Sequence, residues 1–234
     1  MNDIAGILYL VSIWVLPLVF AITLHEAAHG WVAEKLGDDT ARRLGRVSFN
    51  PLRHIDHFGT LILPGLLLLL RAPFLFGYAK PVPVNFARLR HPKRDMVLVA
   101  LAGPGMNIGI ALACGWLIYL TPMFSPWLSE WLFYNLQNGI LINVILAVFN
   151  MIPLPPLDGG RVVTGLLPPR FAVQFARLER FGIIILLGAL FVLPIVGRQI
   201  GVDLNLFVWI MRPALSFVFD LLSYATGLNF AELI

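Results

Sequence analysis

The chain has 234 residues, 59% of them hydrophobic and 13% charged, with a mean hydropathy of +0.82. Soluble domains are about half apolar and about a quarter charged, so a chain with this balance cannot cover its surface with polar groups. Composition therefore points to a multi-span membrane protein in a lipid bilayer and gives no support to disorder, a coiled coil or nucleic-acid binding. The net charge of +4 reads as the basic excess of cytoplasmic loops. The single cysteine, Cys114, leaves no intrachain disulfide. No cleavable leader is expected, because the first Lys or Arg is Lys35 and the first apolar run continues past any cleavage site.

A spanning helix needs roughly 20 mostly apolar residues. In chain order, spans are predicted at residues 4–35 (with Pro17 as a kink), 96–120, 132–152, 181–196 with its flanks, and 204–224. Residues 58–76 are apolar but broken by Pro64-Gly65 and by Arg71-Ala72-Pro73, leaving only residues 61–70 uninterrupted. That length suits a re-entrant or interfacial segment. Residues 46–50 and 77–85 carry β-branched or aromatic residues with Pro punctuation, which predicts edge or hairpin strands. The expected fold class is a membrane all-α bundle of 5–6 transmembrane helices, with a re-entrant segment and short β-strands on the cytoplasmic side.

Charge placement sets the expected topology. Arg42, Arg43, Arg46 and Arg53 precede residues 58–76, and Lys80, Arg88, Arg90, Lys93 and Arg94 follow them. Both loops are basic, so both are expected in the cytoplasm, with the segment between them dipping in and returning. Residues 121–131 lack Lys and Arg and are expected outside. Residues 153–180, with Arg161, Arg170, Arg177 and Arg180, are expected inside. The N-terminus then lies outside and the C-terminus inside. Six full spans would leave one basic loop on the wrong side.

His25-Glu26-Ala27-Ala28-His29 is the strongest chemical signal. Positions i and i+4 share one helix face, which lets two imidazoles hold one tetrahedral Zn²⁺. Glu26, beside the first histidine, can take a proton from water there and pass it to a leaving amine. Two His and a Glu after some twenty largely apolar residues are hard to explain as packing, since ionisable groups in a spanning helix are expensive. A catalytic zinc site usually takes a third protein ligand. A third His six residues after the second would fall at Lys35, and no Glu lies between Glu34 and Glu130. Most remaining acids fall at helix ends or in loops. Asp56 shares a short loop with His54 and His57. Asp158 follows Pro153, Pro155 and Pro156 and precedes Gly159-Gly160, a helix stop and a tight turn at a carboxylate.

Taken together, the chain resembles the site-2 proteases, a family of intramembrane zinc metalloproteases. The resemblance covers about residues 10–165 and rests on three motifs in family order. They are His25-Glu26-Ala27-Ala28-His29, then Gly103-Pro104-Gly105-Met106-Asn107, then Asn150-Met151-Ile152-Pro153 through Asp158-Gly159. It implies that His25, His29 and Asp158 bind one zinc, that Glu26 is the catalytic base, and that Asn107 and Asn150 line the site and hold substrate backbone or the oxyanion. It also implies a site toward the cytoplasmic face. The chain is similar to small members, without a PDZ insertion or CBS pair, and is read as one domain over residues 1–234, with C-terminal helices at about 178–226.

Other signals read as ordinary. Asn143 suggests interhelical glue. His54 and His57 suggest surface or interfacial histidines. The tryptophans suggest interfacial anchors. The run Arg88–Arg94 suggests headgroup contacts. The expected function is a zinc endopeptidase that cleaves within or next to the transmembrane segment of a membrane-protein substrate, with residues 77–85 as an edge for an extended substrate. In a prokaryote it would sit in the plasma membrane. A zinc-binding membrane transporter or an inactive scaffold are the rival readings.

Overall fold

The computed structural model describes residues 4–54 and 80–230, together with residues 56, 59, 62, 66 and 69. Its principal helices are α1 (Ile4–Lys35), α2 (Pro92–Ile118), α3 (Pro126–Asn150), α4 (Asp158–Leu166), α5 (Pro169–Ala176), α6 (Glu179–Ile200) and α7 (Leu206–Thr226). Five of these, α1, α2, α3, α6 and α7, are long and apolar enough to cross a membrane. They match the five expected spans. α2 and α3 start earlier than their apolar runs, because each begins at a proline in the first helical turn and carries a polar turn before the apolar stretch. Asp95 closes the start of α2 by accepting the His91 N–H at 2.8 Å. α6 contains one π-helical turn, Gly188–Val192, just ahead of Pro194, whose missing N–H interrupts the normal ladder.

The buried residues of α2 explain its central place. Asp95, Val99, Gly103, Asn107, Ala111 and Gly115 are all buried and recur every fourth position. At about 100° per residue, four residues overshoot a full turn by about 40°, so the stripe winds around the helix as it climbs. Its lower part faces the histidines of α1. Its upper part meets α3 and α7, where Ala111 joins Ile140, Val144, Phe219, Leu222 and Phe230 in one cluster. Gly115 lies directly against Thr226. Small residues at such crossings let backbones approach where no water drives association. The opposite faces are apolar and exposed, as Leu8, Val11, Val15 and Leu18 are on α1.

Pro17 does not end α1, which runs unbroken through it. A proline there has no N–H to offer the carbonyl of Ile13, four residues back. Asn138 of α3 supplies the missing donor, with its Nδ2 at 2.8 Å from that oxygen. In an apolar phase such a replacement is required.

The expected strands are absent. Residues 46–50 and 80–85 form no strand among the described residues, and residues 77–79 lie outside them. Pro81 and Pro83 have no N–H, the Lys80 N–H goes to the His54 carbonyl at 2.9 Å, and the Val82 N–H goes to Glu26 at 2.8 Å. No ladder can form from what remains. The two stretches meet instead through the Arg46 guanidinium, which donates to the Lys80 carbonyl at 2.6 Å. The expected re-entrant segment, residues 58–76, lies almost wholly outside the described residues.

Phe219 is 2% exposed at the junction of α2, α3 and α7. Phe219→Ala should lower stability by about 3–5 kcal/mol, the range for emptying a filled aromatic site, as read by reversible denaturation in detergent micelles.

Candidate metal centre

His25 and His29 lie one turn apart on α1, and Asp158 opens α4. All three are buried, at 6%, 5% and 4% exposure. Their Nε2, Nε2 and Oδ2 atoms converge. The two nitrogens are 3.1 Å apart, and the carboxylate oxygen is 3.2 Å from His25 and 3.3 Å from His29. Zinc–ligand bonds of about 2.0–2.1 Å in a tetrahedron give ligand–ligand edges of about 3.3–3.4 Å. The three donors therefore already have close to the spacing that one ion requires.

The protonation pattern gives a second test of fit. His29 Nδ1 lies 2.7 Å from the Val99 carbonyl, which only accepts, so this nitrogen carries the proton. His25 Nδ1 donates to the Asn107 Oδ1 at 2.5 Å. Both Nε2 atoms then present lone pairs, and they face a carboxylate oxygen that has no hydrogen-bond donor of its own. Three buried lone pairs aimed at one point repel unless a cation lies between them. Among the described residues this is the His/Cys/Asp/Glu group with the geometry of a metal site.

The surrounding backbone is shaped for this approach. A Cβ on Gly103 would run into the Nε2 atoms of both histidines, so α2 can cross α1 at this point only with glycine. Gly159 and Gly160 are not in the left-handed region. What they supply is the absence of a Cβ, since one at Gly159 would meet the Met151 and Ile152 carbonyls and one at Gly160 the Leu154–Pro155 backbone. α4 is thereby folded back on the Pro-rich loop, and its first residue points at the histidines. Arg161, one turn further, stands 4.0 Å from the other Asp158 oxygen.

The remaining sequence candidates fall in different places. The Glu26 carboxylate faces the extended segment 80–85 and accepts the Val82 N–H at 2.8 Å. Asn107 is fully buried behind His25. Its amide donates to Asn143 at 2.7 Å and toward the Ala21 carbonyl at 3.4 Å, so it serves the histidine and has no hydrogen left for an oxyanion. Asn150 is half-buried and donates to the Leu146 carbonyl of its own helix at 3.0 Å. Asp56 accepts the Gly59 N–H at 2.7 Å and is not part of the cluster. His54 is buried rather than at the protein surface, with Nε2 at 3.0 Å from the Ser48 carbonyl. His57 lies outside the described residues. Sequence reasoning missed Val99, whose contribution is a backbone oxygen, and Gly103, although the latter opens the second motif.

Comparison with known proteins bears on this geometry. Residues 128–194 match the model of Peptidase family M50. The chain is 39% identical over 189 residues to YwhC of Bacillus subtilis, named as a zinc metalloprotease, covering 77% of this chain and 80% of that protein. It is 26% identical over 180 residues to Rip2 of Mycolicibacterium smegmatis, which carries the same kind of name, covering 77% of this chain and 66% of that protein. Rip2 of Mycobacterium tuberculosis is 27% identical over 174 residues, covering 74% of this chain and 64% of that protein. The chain thus spans just under two thirds of the mycobacterial proteins. No solved structure matches it.

Gly103→Ala introduces one methyl group between the two histidine Nε2 atoms. It should weaken zinc binding at least about tenfold, the lower end of what disturbing a ligand's support costs, while helix content stays unchanged. Chelator competition and circular dichroism on the detergent-solubilised chain check the two halves.

Proposed function

The chain belongs to peptidase family M50, the site-2 proteases, and on that premise we propose that it cleaves peptide bonds within or next to the transmembrane segments of other membrane proteins. It is a zinc metalloprotease and an integral, multi-pass membrane protein. The observation that carries the finer reading is the convergence of the His25, His29 and Asp158 donor atoms at a depth where none of the three is more than 6% exposed.

In this reading His25, His29 and Asp158 would hold one Zn²⁺. When bound, zinc supplies Lewis acidity that polarises the scissile carbonyl. Glu26, next to the first ligand, accepts a proton from the attacking water and returns it to the amine as the C–N bond breaks. One of its oxygens accepts the Val82 N–H and the other can take the proton, which makes segment 80–85 part of the working site. A transmembrane substrate must unwind locally, because a helical peptide bond is shielded by its own hydrogen bonds and neighbours. In this proposal Asn150, on the last turn of α3, meets that unwound strand.

The site opens toward the cytoplasm in this proposal. Contacts between the basic loops support it. Arg46 meets Lys80, His54 meets Lys80, and Lys93 meets the Leu167 carbonyl. The three loops therefore lie at one end of the bundle, as the positive-inside rule requires of loops on one side. In a Cys114→Ser background, Arg90→Cys and Arg170→Cys should react with an impermeant maleimide only from the cytoplasmic side, and Ser125→Cys only from outside. Labelling of Arg90→Cys from outside would replace this topology with six full spans.

The chemistry is tested with purified protein and a transmembrane peptide substrate. Glu26→Gln should keep its zinc and lose roughly 10²–10⁴-fold in turnover, the usual worth of a general base. Asp158→Ala should lose zinc itself, as read by metal analysis. Retained zinc in Asp158→Ala would remove that residue from the ligand set, and undiminished cleavage by Glu26→Gln would remove the base.

A further inference from the structure

Behind His25 lies a chain of amides that ends on a backbone carbonyl. Asn143, on α3, is 1% exposed. Its Nδ2 donates to the Gly139 carbonyl, one turn earlier, at 2.8 Å. Its Oδ1 accepts from the Asn107 Nδ2 at 2.7 Å. The Asn107 Oδ1 accepts the His25 Nδ1–H at 2.5 Å. Each link has a fixed sense. A carbonyl can only accept, so Gly139 decides which end of the Asn143 amide faces it. The other end, an oxygen, then turns the Asn107 amide nitrogen toward Asn143. That leaves the Asn107 oxygen for His25, which must protonate Nδ1 and present Nε2 as a lone pair.

We propose that Asn143 is a positioning residue that sets the tautomer of His25 for metal binding, acting through Asn107 from the Gly139 carbonyl. The proposal rests on the reading of His25 as a zinc ligand. It assigns Asn143 a part in the chemistry although its side chain never reaches the metal centre. His29 needs no such relay, because the Val99 carbonyl fixes it directly at 2.7 Å. The asymmetry has a cause in the fold. Where α2 crosses His29 it offers a backbone oxygen, and where it passes His25 it offers an amide side chain with two possible orientations. Only the second needs further groups to choose between them, and of the two that face the Asn107 nitrogen, Asn143 at 2.7 Å is much nearer than the Ala21 carbonyl at 3.4 Å.

The test is zinc affinity of the full chain in detergent, by chelator competition. Asn143→Leu should bind zinc about 10–100-fold more weakly, the usual effect of removing a ligand's outer partner. Asn143→Asp keeps the size and an acceptor for Asn107 and should bind more tightly than Asn143→Leu. Asn143→Ser retains a hydroxyl for Gly139 but is too short for Asn107. It should resemble Asn143→Leu, and it gives the same reading if Asn143→Leu does not fold. If the residues act in series, Asn143→Leu should add nothing in an Asn107→Leu background, whereas independent packing effects would multiply. Nitrogen-15 spectra of histidine-labelled protein should show His25 as the Nδ1–H tautomer in the wild type and mixed tautomers in Asn143→Ser. His25→Ala is the control. If it keeps zinc, the metal reading fails. If it loses zinc while Asn143→Leu and Asn143→Ser bind as the wild type does, or if the two leucine effects multiply, the relay alone is overturned.

Discussion

Two imidazole nitrogens and a carboxylate oxygen, all carrying lone pairs, meet within 3.3 Å of one another inside an apolar bundle. Burying such groups without compensation costs several kcal/mol. Much of the architecture can be derived from making this arrangement possible. α2 must come close enough to cap both Nδ1 atoms, which demands glycine at position 103. The loop after α3 must bring a carboxylate back to a helix it has already left, which demands a helix stop and then two residues with no Cβ. The four-residue stripe of α2 lets one helix serve α1 at one end and α7 at the other, so the centre is anchored in the same packing that holds the bundle together.

The same need for hydrogen-bond partners governs the buried backbone. Pro17 strips a donor from the Ile13 carbonyl, and Asn138 restores it from across the bundle. Asp38, fully buried, accepts from the Asn85 N–H at 2.6 Å and the Thr40 N–H at 3.1 Å. Glu26 and Asp38 thus hold segment 80–85 by its amides, while Arg46 holds it by its carbonyls. Extended chain without a strand partner is stable here because side chains, not a neighbouring strand, satisfy it. That is a more adjustable attachment than a ladder, since each bond can be broken separately.

The five spans, the histidine pair and the carboxylate at the broken helix were legible in the sequence because each leaves a local mark. An apolar run, an i,i+4 repeat and a Pro-rich stop can be read without knowing the fold. The strands were misread because β-branched residues and prolines report extended backbone, and pairing depends on free N–H groups that Glu26 and His54 had already taken. Val99 was invisible because its contribution is a backbone oxygen that any residue would provide. Asn107 was found, but its partners were not: the family resemblance turned it toward substrate, and here its amide meets His25, Asn143 and Ala21. Asn143 was read as glue between helices, and its hydrogen bond does join α3 to α2. What the sequence could not display is that the far end of that bond carries a ligand.

Charge explains why the proposed centre suits a membrane. A divalent ion held by neutral imidazoles alone would keep both positive charges in a medium where each costs heavily. Asp158 removes one of them as a ligand. Glu26, next along α1 from His25, would balance the other. The group of ion, ligands and base is then neutral as a whole, the state that a low-dielectric environment favours. Neutrality also bears on the role of Glu26. A carboxylate there would balance the ion's second charge and would be the group that takes a proton from water. The total charge does not change as the proton moves, so the surrounding apolar bundle has little to reorganise during the step.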